Sequence, residues 1–163
     1  MHRVRFPFVV VVFLIGGLAF SQTPQWSREA QKLQHSLQTL NTLLSVNPFP
    51  GDVPGLETAI TNKTEQMMDN LAALQAALQA EMSSLSAADR QEALGTLGDL
   101  LMQAADVGNM LAVRGFDTLT LNLVTVYNTT RIAYFSLAEQ FNLTSKRIPI
   151  GTQVNDGGGW IPY

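Results

Sequence analysis

Apolar residues recur along the first mature stretch at Trp26, Ala30, Leu33, Leu37, Leu40 and Leu44, spaced 4-3-4-3-4 with polar residues between them. That rhythm returns one apolar stripe to the same side every two turns, as in a heptad seam, and predicts a helix. Pro24 suits its first turn. Asn47-Pro48 ends it, because the residue before a proline is driven out of helical conformation. Residues 47–55 then hold three of the seven prolines and read as a stiff loop carrying Phe49.

The next pattern runs over residues 56–85, with Leu56, Ile60, Thr64, Met67, Leu71, Leu74, Leu78, Met82 and Leu85 on one seam. Its centre is built from leucine, alanine and glutamine, all strong helix formers, so a single helix about 45 Å long is expected at 1.5 Å per residue. Ser86, with Asp89 three residues on, has the form of a capping box and predicts a new helix start. Leu94, Leu97, Leu101, Ala104, Gly108 and Leu111 share the third seam, and Gly115 stands where a helix ends on a left-handed residue.

Residues 116–143 are more ambiguous. Leu119, Leu123, Tyr127, Tyr134, Leu137 and Phe141 fit a helix with a weak turn at Thr130. Residues 118–127 also alternate and are rich in β-branched side chains, as strands are. An isolated strand would have nothing to pair with, so a helix capped by Asp117 is expected. From Lys146 onward, glycine and proline exclude helix.

Together these patterns predict an all-α fold: an antiparallel four-helix bundle over residues 22–145, a signal segment over 1–21 and a non-helical tail over 146–163. Short links should make the second, third and fourth helices antiparallel neighbours. Small Ala104 and Gly108 should face the bulky fourth helix, so that layers interdigitate and its aromatics form core.

The leader rests on composition. Two arginines and no acid precede fifteen uncharged residues, 6–20, and Ala19-Phe20-Ser21 is a small-x-small triplet. These are the three parts of a secretory signal. A cut after Ser21 would release a periplasmic or secreted protein. The alternative is retention as an uncleaved anchor, but fifteen residues fall short of the roughly 20 a membrane span needs. Removing the leader leaves eight Lys/Arg against thirteen Asp/Glu. That acidic balance argues against nucleic acid, which needs a basic footprint. With no cysteine in the chain, packing rather than disulfides must hold an exported domain together.

Chemistry is sparse. His35 is the sole histidine past the leader and falls opposite the first seam. One histidine cannot supply the paired Glu-x-x-His motifs of bundle di-iron sites, and Cys-x-x-Cys-His haem attachment is excluded. Glu92, Asp99 and Asp106 repeat every seven residues, about 10.5 Å apart along a helix, too far to share one ion. Glu65 and Asp69, one turn apart, read as surface acids. Five methionines (Met67, Met68, Met82, Met102, Met110) lie in the second and third helices. Asn62, Asn128 and Asn142 begin glycosylation sequons. No catalytic, cofactor or metal constellation stands out, so an enzyme is not expected. Residues 52–106 hold nine acids and two bases, a solvated half or a face for a basic partner.

The tail is the least ordinary feature. A Gly157-Gly158-Gly159 spacer leads to Trp160-Ile161-Pro162-Tyr163, and exposed aromatics of this kind anchor interfaces. Phe49, Trp160, Ile161 and Tyr163 are therefore the expected partner-binding residues. The sequence reads as an exported, non-enzymatic helical protein acting through contacts with a protein partner or with itself. The alternative is a small-molecule or haem carrier, with its ligand between the third and fourth helices.

Overall fold

A computed structural model describes residues 23–46 and 53–152. Among them are four α-helices, α1 (Gln25–Val46), α2 (Leu56–Glu81), α3 (Ala87–Val113) and α4 (Asp117–Gln140), with no strand. The expected signal segment, residues 1–21, Phe49 and residues 153–163 lie outside the described residues.

All of the α1 seam is buried. On α2 the seam from Ile60 to Met82 is buried, but the helix stops at Glu81 and a 3-10 turn, Met82–Ser84, replaces the last turn expected from the pattern. Arg90 accounts for that stop: its guanidinium donates to the carbonyls of Met82 (2.6 Å) and Ser83 (2.8 Å), satisfying groups a helix end leaves open. Glu81 performs the opposite task for α1. Its carboxylate accepts from the backbone N–H groups of Gln25 and Trp26 at 3.0 and 3.1 Å, where a helix N-terminus favours negative charge.

Ser86 caps α3 as expected, accepting from the Asp89 N–H. Gly115, at φ 78°, closes α3, with Phe116 N–H bonded to Leu111 C=O and Gly115 N–H to Ala112 C=O. Asn142 repeats this at the end of α4, with φ 50° and a bond from Leu143 N–H to Ala138 C=O. Asparagine tolerates the left-handed region better than most side chains.

α4 resolves its ambiguity as helix throughout. Thr120, Thr125, Thr129 and Thr130 each turn their hydroxyl onto the carbonyl four residues back. A threonine that bonds within its own helix needs no polar partner elsewhere, which lets Thr120 and Thr130 be buried. One local expectation fails: Phe116, not Asp117, holds the cap position, and no side chain caps it. Asp117 instead occupies the first turn, where its charge still suits the helix dipole.

The helices surround one core that includes Leu33, Leu40, Met67, Leu74, Leu97, Leu101, Tyr127 and Tyr134. α1 packs on α2 and α3, and α4 packs on α2 and α3. The order around the core is therefore α1, α2, α4, α3. This corrects the expected neighbour relation of α2 and α3, which sit across a diagonal. The connection through residues 82–86 crosses the end of the core, held by Arg90, instead of turning back beside α2.

Arg90 lies over the Phe141 ring at 4.8 Å and Gly98 meets Tyr134, so α3 and α4 run antiparallel. α1 and α3 run parallel: Trp26 lies near Glu92, Gln34 bonds Gln103, and Asn41 lies near Met110. No described helix is long and apolar enough to cross a membrane.

Candidate functional site

Two features of the surface are built from specific polar contacts. The first is a non-helical strap, residues 143–152, that runs back along α4 over the seam with α3. Side chains of the two helices hold its backbone. The Gln91 amide donates to Thr144 C=O and accepts from Thr144 N–H, both at 2.9 Å. Lys146 N–H donates to the Tyr134 hydroxyl at 2.6 Å. Arg131 Nε donates to Ile148 C=O at 2.8 Å while its guanidinium lies over the Phe135 ring. The Tyr127 hydroxyl donates to Pro149 C=O at 2.9 Å. Asn128 closes the series with a reciprocal pair to Gly151, donating at 2.8 Å and accepting at 2.9 Å.

Ile148 of the strap is buried. Tyr127 and Tyr134 are fully buried as well, so the strap supplies the hydroxyl partners that buried tyrosines require. Burial pushes the Tyr127 phenol up to about 12, with Arg131 partly opposing the rise and the nearby Asp106 charge adding to it. Gly98 makes room for the Tyr134 ring, and Ala104 and Gly108 are buried on the same helix. A Cβ at Gly98 would sit 3.2 Å from the Tyr134 ring and 3.3 Å from its hydroxyl.

The second feature is a groove between the parallel helices α1 and α3. It holds two adjoining clefts of about 420 and 360 Å³ that share Gln38. Leu37, Val107 and Met110 give the larger cleft an apolar floor, and Gln38, Asn41, Gln103 and Asn109 its amide rim. Trp26, Ala30 and Leu100 underlie the smaller cleft, rimmed by Gln31, Gln34 and His35. The Gln34 amide donates to Gln103 at 2.9 Å, bridging the helices between the two clefts.

Three side-chain polar atoms among the described residues are buried without a hydrogen-bond partner: Trp26 Nε1, Asn109 Oδ1 and Arg114 Nη1. Two belong to this groove, Trp26 in one cleft and Asn109 in the other. Such groups are uncommon and costly unless something completes them. Trp26, whose indole N–H is the unmatched donor, thus lines one cleft, and Asn109, whose amide oxygen is the unmatched acceptor, lines the other. Acids stand beside both clefts, Glu92 at the smaller and Asp106 at the larger.

The residues singled out in the sequence are distributed unevenly over these features. Phe49, Trp160, Ile161 and Tyr163 lie outside the described residues. His35 is on the rim of the smaller cleft. Glu65 and Asp69 lie on the outer side of α2, and no cluster of three or more potential metal ligands occurs among the described residues. Asp99 pairs with Lys146 of the strap, with both side chains more than half exposed. Met67 and Met82 are core, Met110 lines the larger cleft, and Met102 is 41% exposed on the outer side of α3. Of the sequon asparagines, Asn128 is engaged by the strap and Asn142 forms the α4 cap.

The residues missed from sequence are the amides. Gln38, Asn41, Gln103 and Asn109 read as ordinary polar positions along the chain, and only the parallel pairing of α1 and α3 brings them together. Compared with protein-family models, with curated proteins and with solved structures, the chain matches none.

Proposed function

We propose that this is an exported, non-enzymatic helical-bundle protein that works through protein–protein contacts, taking a peptide segment into the α1/α3 groove. The pair of orphaned buried atoms, Trp26 Nε1 and Asn109 Oδ1, carries this reading. A peptide backbone offers both a carbonyl for the first and an N–H for the second. The strap illustrates the same chemistry within the molecule. There Gln91 and Asn128 each bind both backbone groups of a single residue. An amide side chain is suited to this because it carries donors and an acceptor together. The groove offers further amides at Gln38 and Asn41.

Peptide display against the full chain tests the reading. Enriched peptides should bind at least tenfold more weakly to Asn109→Leu, which keeps the side chain's size and removes the acceptor. Failure to enrich any peptide would contradict it, as would binding indifferent to the groove substitution. Export is supported by the basic, apolar and small-residue order of residues 1–21. The intact mass of the released protein should correspond to a chain beginning at Gln22. The alternative reading is a small-molecule or haem carrier with its ligand between α3 and α4.

A further inference from the structure

We infer that the α1/α3 groove selects an extended basic peptide, with one lysine or arginine at Glu92 and another, about six positions away along the peptide, at Asp106. This deepens the peptide-groove reading and rests on it. Charge supplies the first reason. Glu92 and Asp106 are the only Asp, Glu, Lys or Arg residues among those described as lining the two clefts, so each fixed charge there is negative. Both are exposed, and neither carboxylate has an ion pair or hydrogen bond among the described residues. The bases nearby are committed elsewhere. Lys32 of α1 pairs with Glu29, and Arg90 of α3 serves the carbonyls of Met82 and Ser83.

Asp99 supplies a precedent. It stands midway between the two acids on α3, seven residues from each, and it pairs with Lys146 of the strap. One member of this acidic row therefore already holds a lysine carried by a non-helical segment. The members on either side of it border the clefts and stand open.

Geometry fixes the spacing. Glu92 and Asp106 lie on one helix, about 21 Å apart at 1.5 Å per residue. An extended peptide advances about 3.3 Å per residue and turns alternate side chains to the same side. Positions six apart thus span about 20 Å and face the same way. The extended form also suits the amide rim. A helical peptide consumes its backbone groups internally, whereas an extended one leaves them free for Gln38, Asn41, Gln103 and Asn109. The strap is held in that manner by Gln91 and Asn128. Trp26, only 7% exposed, lines the smaller cleft and its indole N–H lacks an acceptor, which a peptide carbonyl supplies.

Selection from a random dodecapeptide display library on the full-length protein at low salt tests this. Enriched peptides should carry lysine or arginine pairs six positions apart at least threefold above the input library. Exposed ion pairs are individually weak, so replacing both basic residues of an enriched peptide by glutamine should weaken its binding about three- to tenfold. That difference should fade as salt is raised and the charges are screened. Glu92→Gln/Asp106→Asn should lose the preference and keep the parent helical circular dichroism. Glu65→Gln/Asp69→Asn removes the same charge from the outer side of α2 and should retain the preference. Equal loss in both variants, or persistence of the preference in the first, would overturn the inference. Peptides that depend on Asn109 yet carry no basic pair would also overturn it, while leaving the peptide-groove reading standing. Enrichment of no peptide at all would remove that reading, and the inference with it.

Discussion

Gly98 and Gly95 occupy the same helix one turn apart and separate two effects of a missing side chain. An added Cβ at Gly95 meets nothing within 4 Å, whereas at Gly98 it crowds the Tyr134 ring and hydroxyl. Gly95→Ala should therefore raise stability by about 1 kcal/mol, the usual difference in helix propensity. Gly98→Ala should lose that gain to the displacement of a buried tyrosine that also holds Lys146 N–H, so urea midpoints of the two variants should diverge. Tyr127 gives a pH dependence of defined sign. Its phenol is raised from 10.0 to about 12, so the fold favours the neutral form. The stability this adds is complete below the ordinary value and is lost as pH climbs through the raised one. The difference in unfolding free energy between the parent and Tyr127→Phe should be about 1–2 kcal/mol at neutral pH. It should shrink from pH 10 toward 12, as measured by denaturant unfolding at each pH.

At the scale of elements, the strap should loosen when its Asn128 clamp is removed. Asn128→Leu abolishes both bonds to Gly151 and leaves that residue's buried backbone unsatisfied. Lys146 and Arg147 are exposed within the strap, so limited trypsin digestion should cut there several-fold faster in the variant, while α1 to α4 persist. How far the elements were legible in the sequence follows from what specifies them. Ser86 and Gly115 could be read because a cap is decided by residues three or four positions away. The α1 seam could be read because six apolar positions repeat without interruption. The end of α2 could not, since it depends on Arg90, a residue of the next helix, reaching back to Met82 and Ser83. Nor could the diagonal placement of α2 and α3, because a short link fixes the reversal of direction but not which neighbour each face meets. The strap left one trace: buried tyrosines at 127 and 134 need hydroxyl partners, and the irregular stretch after α4 was the nearest supplier.

The molecule as a whole pairs an acidic, packing-stabilised helical body with two surfaces rich in side-chain amides. On one, the amides hold the backbone of the strap. The other, between α1 and α3, is lined by Trp26 and Asn109, whose side chains carry an unmatched donor and an unmatched acceptor. Its residues were individually visible in the sequence, but their convergence was not, because it requires two helices far apart in the chain to run parallel. The central claim is that this groove binds peptide. It is tested most directly by adding a display-enriched peptide to the isotope-labelled protein and following the side-chain amide resonances by nuclear magnetic resonance. The account predicts saturable shifts concentrated on Gln38, Asn41, Gln103 and Asn109, with Gln91 and Asn128 of the strap unmoved. Absence of shifts, or shifts centred on Gln75 in the cleft between α2 and α4, would contradict it.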